Sequence, residues 1–168
     1  MTTQNVTSKE IAQPGQYMSF VLNSQSYAVA ISIVREINRV ADITSVPQTP
    51  AFVAGVMNLR GKVISVVDLR LKFGLAAVER TRETCIIVIE GDSGQVGMIV
   101  DSASGVLVLN AEQIEPAPVM GNADDLSFVR GMGKVENTVL ILVDIVSALS
   151  REQLSKIVTS ASEFKLAS

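Results

Sequence analysis

Two aspartates stand at the ends of long apolar runs: Asp68 closes "KVISVVD" and Asp144 closes "TVLILVD". Two carboxylates brought together across a pseudo-symmetric junction can share a proton and do general acid/base work. An Asp after a strand also has a plainer use. It accepts N–H bonds from the first turn of a following helix, here "LRLKFG" and "IVSALS". The Asp-Thr-Gly or Asp-Ser-Gly grammar of the aspartic proteases is absent around both residues. The stretches "RGKVISVV" (60–67) and "RGMGKV" (130–135) raise phosphate binding, but each leads towards a strand. A phosphate loop needs two glycines, a Lys and a Ser or Thr ahead of a helix.

The absences narrow the chemistry further. The sequence has no His and a single cysteine, Cys85. Ser-His and Cys-His nucleophiles are therefore excluded, as are structural zinc sites, and no internal disulfide can form. Cys85 lies in "TCIIVIE" and reads as a buried, inert thiol. Carboxylates and Lys bases are what remain for catalysis. Net charge is −3 with Lys and Arg scattered, and aromatics are only 4%. Nucleic acid binding needs a basic stripe and stacking platforms, so neither DNA nor RNA is an expected partner. No apolar run approaches the length that spans a bilayer, so no membrane insertion is expected. The opening "MTTQNVTSKEIAQPGQ" is polar, without a signal-peptide core. A soluble, cytoplasmic protein without cofactors is the expectation.

Glu36 and Arg60 are single charges in apolar neighbourhoods, "SIVREI" and "VMNLRG". They are either solvated edge charges or contacts for a partner. Gly55, Gly61, Gly131 and Gly133 read as positions of backbone need, either positive φ or close approach of strands.

The elements that must position these residues are short β-like runs separated by turn signals. After a flexible lead over 1–14, the runs are "YMSFVL" (17–22), "YAVAI" (27–31) and "REINRV" (35–40). "AFVAGVMN" (51–58) fits a short helix or a strand, and "KVISVV" (62–67) is a strand. A polar connection over 74–83 leads to "TCIIVIE" (84–90), "QVGMIV" (95–100) and "GVLVLN" (105–110). A long loop over 115–125 precedes "SFVRGMGKV" (127–135) and "TVLILV" (138–143). Near-continuous apolar runs predict burial of Val63, Ile64, Val66, Val67, Ile86, Val88, Leu140, Leu142 and Val143. The tail carries a capping-box pattern from Ser150 to Gln153, then Leu154, Ile157, Val158 and Ala161 at helical spacing. This predicts one or two helices over about 144–163.

The chain echoes itself. "RGKVISVVDL" (60–69) resembles "RGMGKVENTVLILVDI" (130–145), and "SFVLNSQSYAVAISIV" (19–34) resembles "CIIVIEGDSGQVGMIV" (85–100). Two related β units follow, each too small to bury a core alone, so they should pack together and form a groove at their junction.

"AFVAGVMNLRGKVISVVDLRLKFGL", "VGMIVDSASGVLVLNAEQIEPAP" and "VRGMGKVENTVLILVDI" resemble the signature of the CheW family of bacterial chemotaxis coupling proteins. The resemblance covers roughly 15–162, with Ser65 where the family usually has Pro. It implies a mostly β fold of two packed five-stranded SH3-like barrels related by the internal repeat, with short helices. The first barrel would take about 15–80, the second about 84–143, and a C-terminal helix about 144–163. It implies a non-catalytic adaptor joining the cytoplasmic tips of chemoreceptors (methyl-accepting chemotaxis proteins) to the CheW-like regulatory domain of the histidine kinase CheA. Such an adaptor is recruited to membrane receptor arrays. Receptor contact is implied for Val34, Glu36, Gly55, Asn58, Leu59, Arg60 and Gly61. Kinase contact is implied for Glu36, Gly131 and Gly133, although the two glycines also fit a purely backbone role. The rival reading is a small carboxylate-dependent enzyme with its site in the inter-barrel groove.

Overall fold

The computed structural model describes residues 12–40, 42–91, 94–117 and 128–148. Most of the lead, much of the 115–125 loop and the predicted tail helix beyond residue 148 lie outside the described residues. The strands are β1 (Gly15–Leu22), β2 (Gln25–Ala30), β3 (Val34–Arg39), β4 (Val53–Leu59), β5 (Lys62–Asp68) and β6 (Cys85–Gly91). Then come β7 (Gly94–Val100), β8 (Ser102–Leu109), β9 (Ile114–Glu115), β10 (Val129–Val135) and β11 (Thr138–Val143). Helix α1 (Leu69–Lys72) follows β5, and α2 (Ile145–Ala148) follows β11. The ambiguous 51–58 run is thus a strand. Its residues alternate less than they bury, and pairing with the β5 run decides it.

The strands form two sheets: A, in the order β8-β1-β2-β11-β10-β9, and B, in the order β3-β6-β7-β5-β4. They do not sort as the expected division into 15–80 and 84–143. Sheet A takes hairpin β1–β2 from the first half and everything else from the second, while sheet B takes hairpin β6–β7 from the second half and β3, β4 and β5 from the first. The two halves have exchanged their opening hairpins. The registers repeat after this exchange. Ile141 and Leu142 pair in parallel with Tyr27 and Ala28, as Ser65 and Val66 pair in parallel with Val96 and Gly97. The Asp144 N–H donates to the Phe128 carbonyl at 2.8 Å, as the Asp68 N–H donates to Phe52 at 2.7 Å. A sequence repeat shows that two units are alike, but it cannot show which copy of a hairpin completes which sheet.

The repeat also aligns differently from the shared Arg-Gly pairs. Gly55 and Gly131 occupy equivalent bulges at the starts of β4 and β10, so Arg130-Gly131 matches Ala54-Gly55. The β4–β5 turn Arg60-Gly61 instead matches Glu136-Asn137 of the β10–β11 turn.

Three apolar clusters hold this together. Met57, Ile64, Val66, Ile86, Val88 and Ile99 fill sheet B. Tyr17, Ala28, Leu109, Leu140 and Leu142 fill sheet A. The largest cluster draws Met18, Phe20, Leu22, Val29, Val143 and Ile145 from one side and Val67, Leu69, Ile87, Ile89, Val96, Met98 and Val100 from the other, and so cements the two sheets. The exchange explains why neither half is self-sufficient: each sheet is incomplete without a hairpin of the other half. Of the predicted core, only Val63 is half-buried rather than buried.

Candidate partner-binding surface

Strand β3 forms one end of sheet B and pairs only with β6 among the described residues. A register shift between Val34 and Glu36 turns the strand at that point. Arg35, Ile37 and Arg39 then face solvent, while Val34, Glu36 and Asn38 lie on the half-buried side. The β4–β5 hairpin approaches that side with its tip. Its two turn residues, Arg60 and Gly61, have φ of 52° and 86°, the left-handed pair that a two-residue type I′ hairpin requires. The Gly61 N–H donates to Asn58 Oδ1 at 2.8 Å, which fixes the turn locally.

The turn carries Arg60 onto Glu36. Nη1 donates to Oε2 at 2.7 Å and Nη2 to Oε1 at 2.8 Å, a two-pronged pairing. Asn38 Nδ2 adds a third bond, to Oε1 at 3.1 Å. The two charges are unequally covered: the Arg60 side chain is 74% exposed and the Glu36 side chain 19%. The outward character of the pair is therefore cationic, with the carboxylate lying beneath the guanidinium. Arg60 first, then Asn38, hold the Glu36 carboxyl below the usual carboxylate range, and Glu36 in turn raises the Arg60 pKa. Exposed pairs of this kind add little to folding. What this one does is fix the tip of one hairpin against an end strand.

Of the residues singled out from the sequence, the structure gathers Glu36, Asn58, Arg60 and Gly61 at this tip, with Leu59 half-buried beside it and Val34 half-buried on β3. Asn38 was not anticipated, although its position two residues after Glu36 in a strand puts it on the same face. Gly55, Gly131 and Gly133 are buried and offer no surface. A Cβ on Gly55 would lie 2.0 Å from the Thr44 carbonyl oxygen, and one on Gly131 would lie 2.8 Å from that of Glu115. A Cβ on Gly133 would meet Leu109 at 2.9 Å. At Gly131 and Gly133 the crowding of any side chain supports the backbone role.

The aspartates do not make a catalytic pair. Asp68 caps α1, accepting from the N–H groups of Arg70 at 3.0 Å and Leu71 at 3.4 Å. Asp144 precedes α2 and accepts from Arg130 Nη2 at 3.3 Å. An open groove of about 540 Å³ does exist, lined by Gln13, Tyr17, Ile31, Ile33, Arg130 and Asp144 among others, but Asp68, Glu36 and Arg60 do not line it. Among the described residues there is no cluster of side chains suited to a metal, and no helix is long and apolar enough to cross a membrane.

Comparison with known proteins gives a consistent result. A family model described as the CheW-like domain matches residues 16–153. The chemotaxis protein CheW of Klebsiella aerogenes is 37% identical over 140 residues, 83% of this chain and 84% of that protein. That of Rhizobium meliloti is 35% identical over 82% of this chain and 89% of its own length. That of Bacillus subtilis is 34% identical over 85% and 92%. Among solved structures, the scaffolding protein TtCheW from Thermoanaerobacter tengcongensis superposes with a TM-score of 0.74 at 30% identity, covering 84% of this chain and 96% of that one.

Proposed function

Because the chain belongs to the CheW-like family, we propose that it couples transmembrane chemoreceptors to a CheA-type histidine kinase. The protein is a chemotaxis scaffold, an adaptor without catalysis. In this proposal the surface around Val34, Glu36, Asn58, Leu59, Arg60 and Gly61 receives the cytoplasmic tip of the receptor, the kinase regulatory domain binds beside it, and both are held at once in a cytoplasmic array.

The observation that carries this reading is the Arg60–Glu36 pair. It contributes little to the fold, yet it orders an exposed cation on a left-handed turn with two hydrogen bonds, while Asn38 holds the carboxylate with a third. The ordering leaves Arg60 ready to meet a partner without first losing its own side-chain freedom. Charges at such a rim set register and choice of partner more than bulk affinity. Gly55 supports the surface from below by letting Thr44 pair with Val56. Gly131 does the equivalent in sheet A, where it lets Glu115 approach β10.

Arg60→Ala tests the reading. The thermal melt should stay close to that of the parent protein. Recruitment of receptor and kinase should weaken by about 30-fold or more, the scale expected when one half of a charge pair is lost beneath a partner. A variant that folds normally and still assembles an active complex at parental concentrations would reduce "NLRG" to a turn and sink the assignment.

A further inference from the structure

Arg70 is the one charged residue among the described residues that is almost wholly buried, 8% exposed. The partner surface does not use it. It is the second residue of α1, and its Nη1 donates to Asp101 Oδ2 at 2.7 Å while Nε donates to the Ala76 carbonyl at 2.9 Å. The same oxygen of Asp101 accepts the Asn23 N–H at 2.9 Å, and the Asp101 N–H donates to the Val21 carbonyl at 3.0 Å. Asn23 and Ser24 are the left-handed turn of the β1–β2 hairpin, with φ of 51° and 64°. Asp101 itself is the single residue between β7 and β8, where the chain crosses from sheet B to sheet A. One carboxylate thus joins the end of β5, the tip of the exchanged hairpin and the crossing. Directly after α1, the Phe73 ring adds an apolar grip on the same neighbour, 5.5 Å from Tyr27 of β2 and 4.6 Å from Phe128.

Among the described residues the repeat makes this arrangement once. Counting from the equivalent aspartates, Arg70 matches Val146, and counting along the equivalent hairpins, Asp101 matches Ser32. Val and Ser cannot form an ion pair, so the other end of the molecule lacks this fastening. The cluster that cements the sheets is apolar, and apolar attraction is non-directional. A buried ion pair adds little dependable stability but demands one geometry.

We propose that Arg70 and Asp101, seconded by Phe73, are a clamp that sets how sheet B sits on sheet A. Strand β5 has this clamp at its end and the Arg60 turn at its start, so the clamp also orients the partner surface relative to sheet A. That consequence for coupling rests on the adaptor reading, and it makes Arg70 and Asp101 positioning residues. The clamp itself does not depend on that reading.

Spin labels decide the matter. Lys62→Cys and Thr138→Cys place nitroxides at equivalent exposed positions opening β5 and β11, in a Cys85→Ser background. Pulsed dipolar spectroscopy should return one narrow distance distribution. Arg70→Met and the shape-conserving Asp101→Asn should each widen it or add a second distance while the far-ultraviolet circular dichroism stays that of the folded protein. Unchanged distributions in both variants overturn the clamp. Loss of the fold in both overturns it as well, since the pair would then be a requirement of folding rather than of register. In a reconstituted complex, Asp101→Asn should recruit receptor and kinase at the parental level but lose receptor control of kinase activity. Control retained alongside a widened distribution overturns the link to coupling. If the parent protein recruits neither partner, the adaptor reading fails, and the distance measurement still judges the clamp.

Discussion

Sheet B gathers Glu36, Asn38 and Arg60 into one hydrogen-bonded cluster, whereas the matching positions of sheet A hold Gly105, Leu107 and Glu136. The scaffolds are the same: two antiparallel hairpins joined in parallel, an end strand, and a bulge glycine beneath a crossing carbonyl. The end strands differ as much as the turns do. Strand β3 shows Arg35, Ile37 and Arg39 to solvent, while β8 shows Ser104, Val106 and Val108. Arginines on an exposed end strand oppose indiscriminate pairing with other chains. A duplicated fold has kept its interior grammar in both copies and placed the Glu36–Asn38–Arg60 cluster in sheet B, where the equivalent positions of sheet A hold Gly105, Leu107 and Glu136. The interior pattern sets the fold, and a few edge positions set which copy carries the charge cluster.

The interior half of that comparison breaks most severely by burying a charge. Val66 and Leu142 are equivalent and both fully buried. Val66→Asp and Leu142→Asp should each unfold the protein, because a lone carboxylate in an apolar cluster costs several kcal/mol, a large part of a domain's whole stability. Cooperative loss of both sheets in either variant is expected from the exchanged hairpins. Survival of one sheet, seen as half of the strand amides retaining exchange protection, would contradict mutual completion.

The next effect separates the copies by degree. Gly55 and Gly131 have φ of 143° and 151°, conformations open almost only to glycine, and the added Cβ would meet carbonyl oxygens at 2.0 Å and 2.8 Å. Gly55→Ala should lower stability by about 3 kcal/mol and Gly131→Ala by about 1–3 kcal/mol. Denaturant midpoints measure both. Equal losses would show that the crossing segments yield equally and that the difference in approach has no consequence.

A smaller change tests a position where sheet B is the weaker copy. Ser65 is 1% exposed and its Oγ has no hydrogen-bond partner among the described residues, whereas its match in sheet A, Ile141, packs against the central cluster. The serine places a hydroxyl in a buried strand position. Ser65→Ala should therefore be neutral or stabilising by up to about 1 kcal/mol, since an unsatisfied buried hydroxyl disappears. A clear drop in melting temperature would mean that the hydroxyl is satisfied in solution.

Much of this was legible in the sequence, for identifiable reasons. Strand runs such as "TCIIVIE" and "TVLILV" announce themselves through burial on both faces, and Asp68 through the helical turn that follows. Glu36 and Arg60 stood out as charges in apolar stretches. The hairpin exchange was not legible, because both copies of a hairpin satisfy either sheet equally well by pattern. The matching of Arg60-Gly61 to Arg130-Gly131 misled for a related reason. Identical dipeptides serve a turn in one place and a bulge in the other, and only the register tells them apart. Arg70 was missed because its partner Asp101 is distant in sequence, which no local spacing reports, whereas for Asn38 the two-residue spacing from Glu36 in a strand was a signal left unused.

The smallest effect concerns the proton on Glu36, and it isolates what the cluster in sheet B does. Arg60 is the larger influence holding this carboxyl below the usual carboxylate range, and Asn38 the lesser. A carboxyl whose folded-state pKa lies below its unfolded value contributes stability above the unfolded value, and the contribution fades as pH falls through the lower, folded one. The window therefore lies wholly on the acid side, and neutral pH shows the pair at full strength. In Arg60→Ala the Glu36 titration, followed through its side-chain carboxyl carbon by nuclear magnetic resonance, should move up towards the ordinary range. Asn38→Ala should move it less, in the same direction. Melting temperatures of the parent protein and Arg60→Ala should converge as the pH is lowered, because protonation removes the bond that the substitution removes. If Asn38→Ala moves the titration further than Arg60→Ala, the cluster is organised by the strand rather than by the turn. The charge on the turn would then be a passenger on the β3 edge rather than the group that orders it.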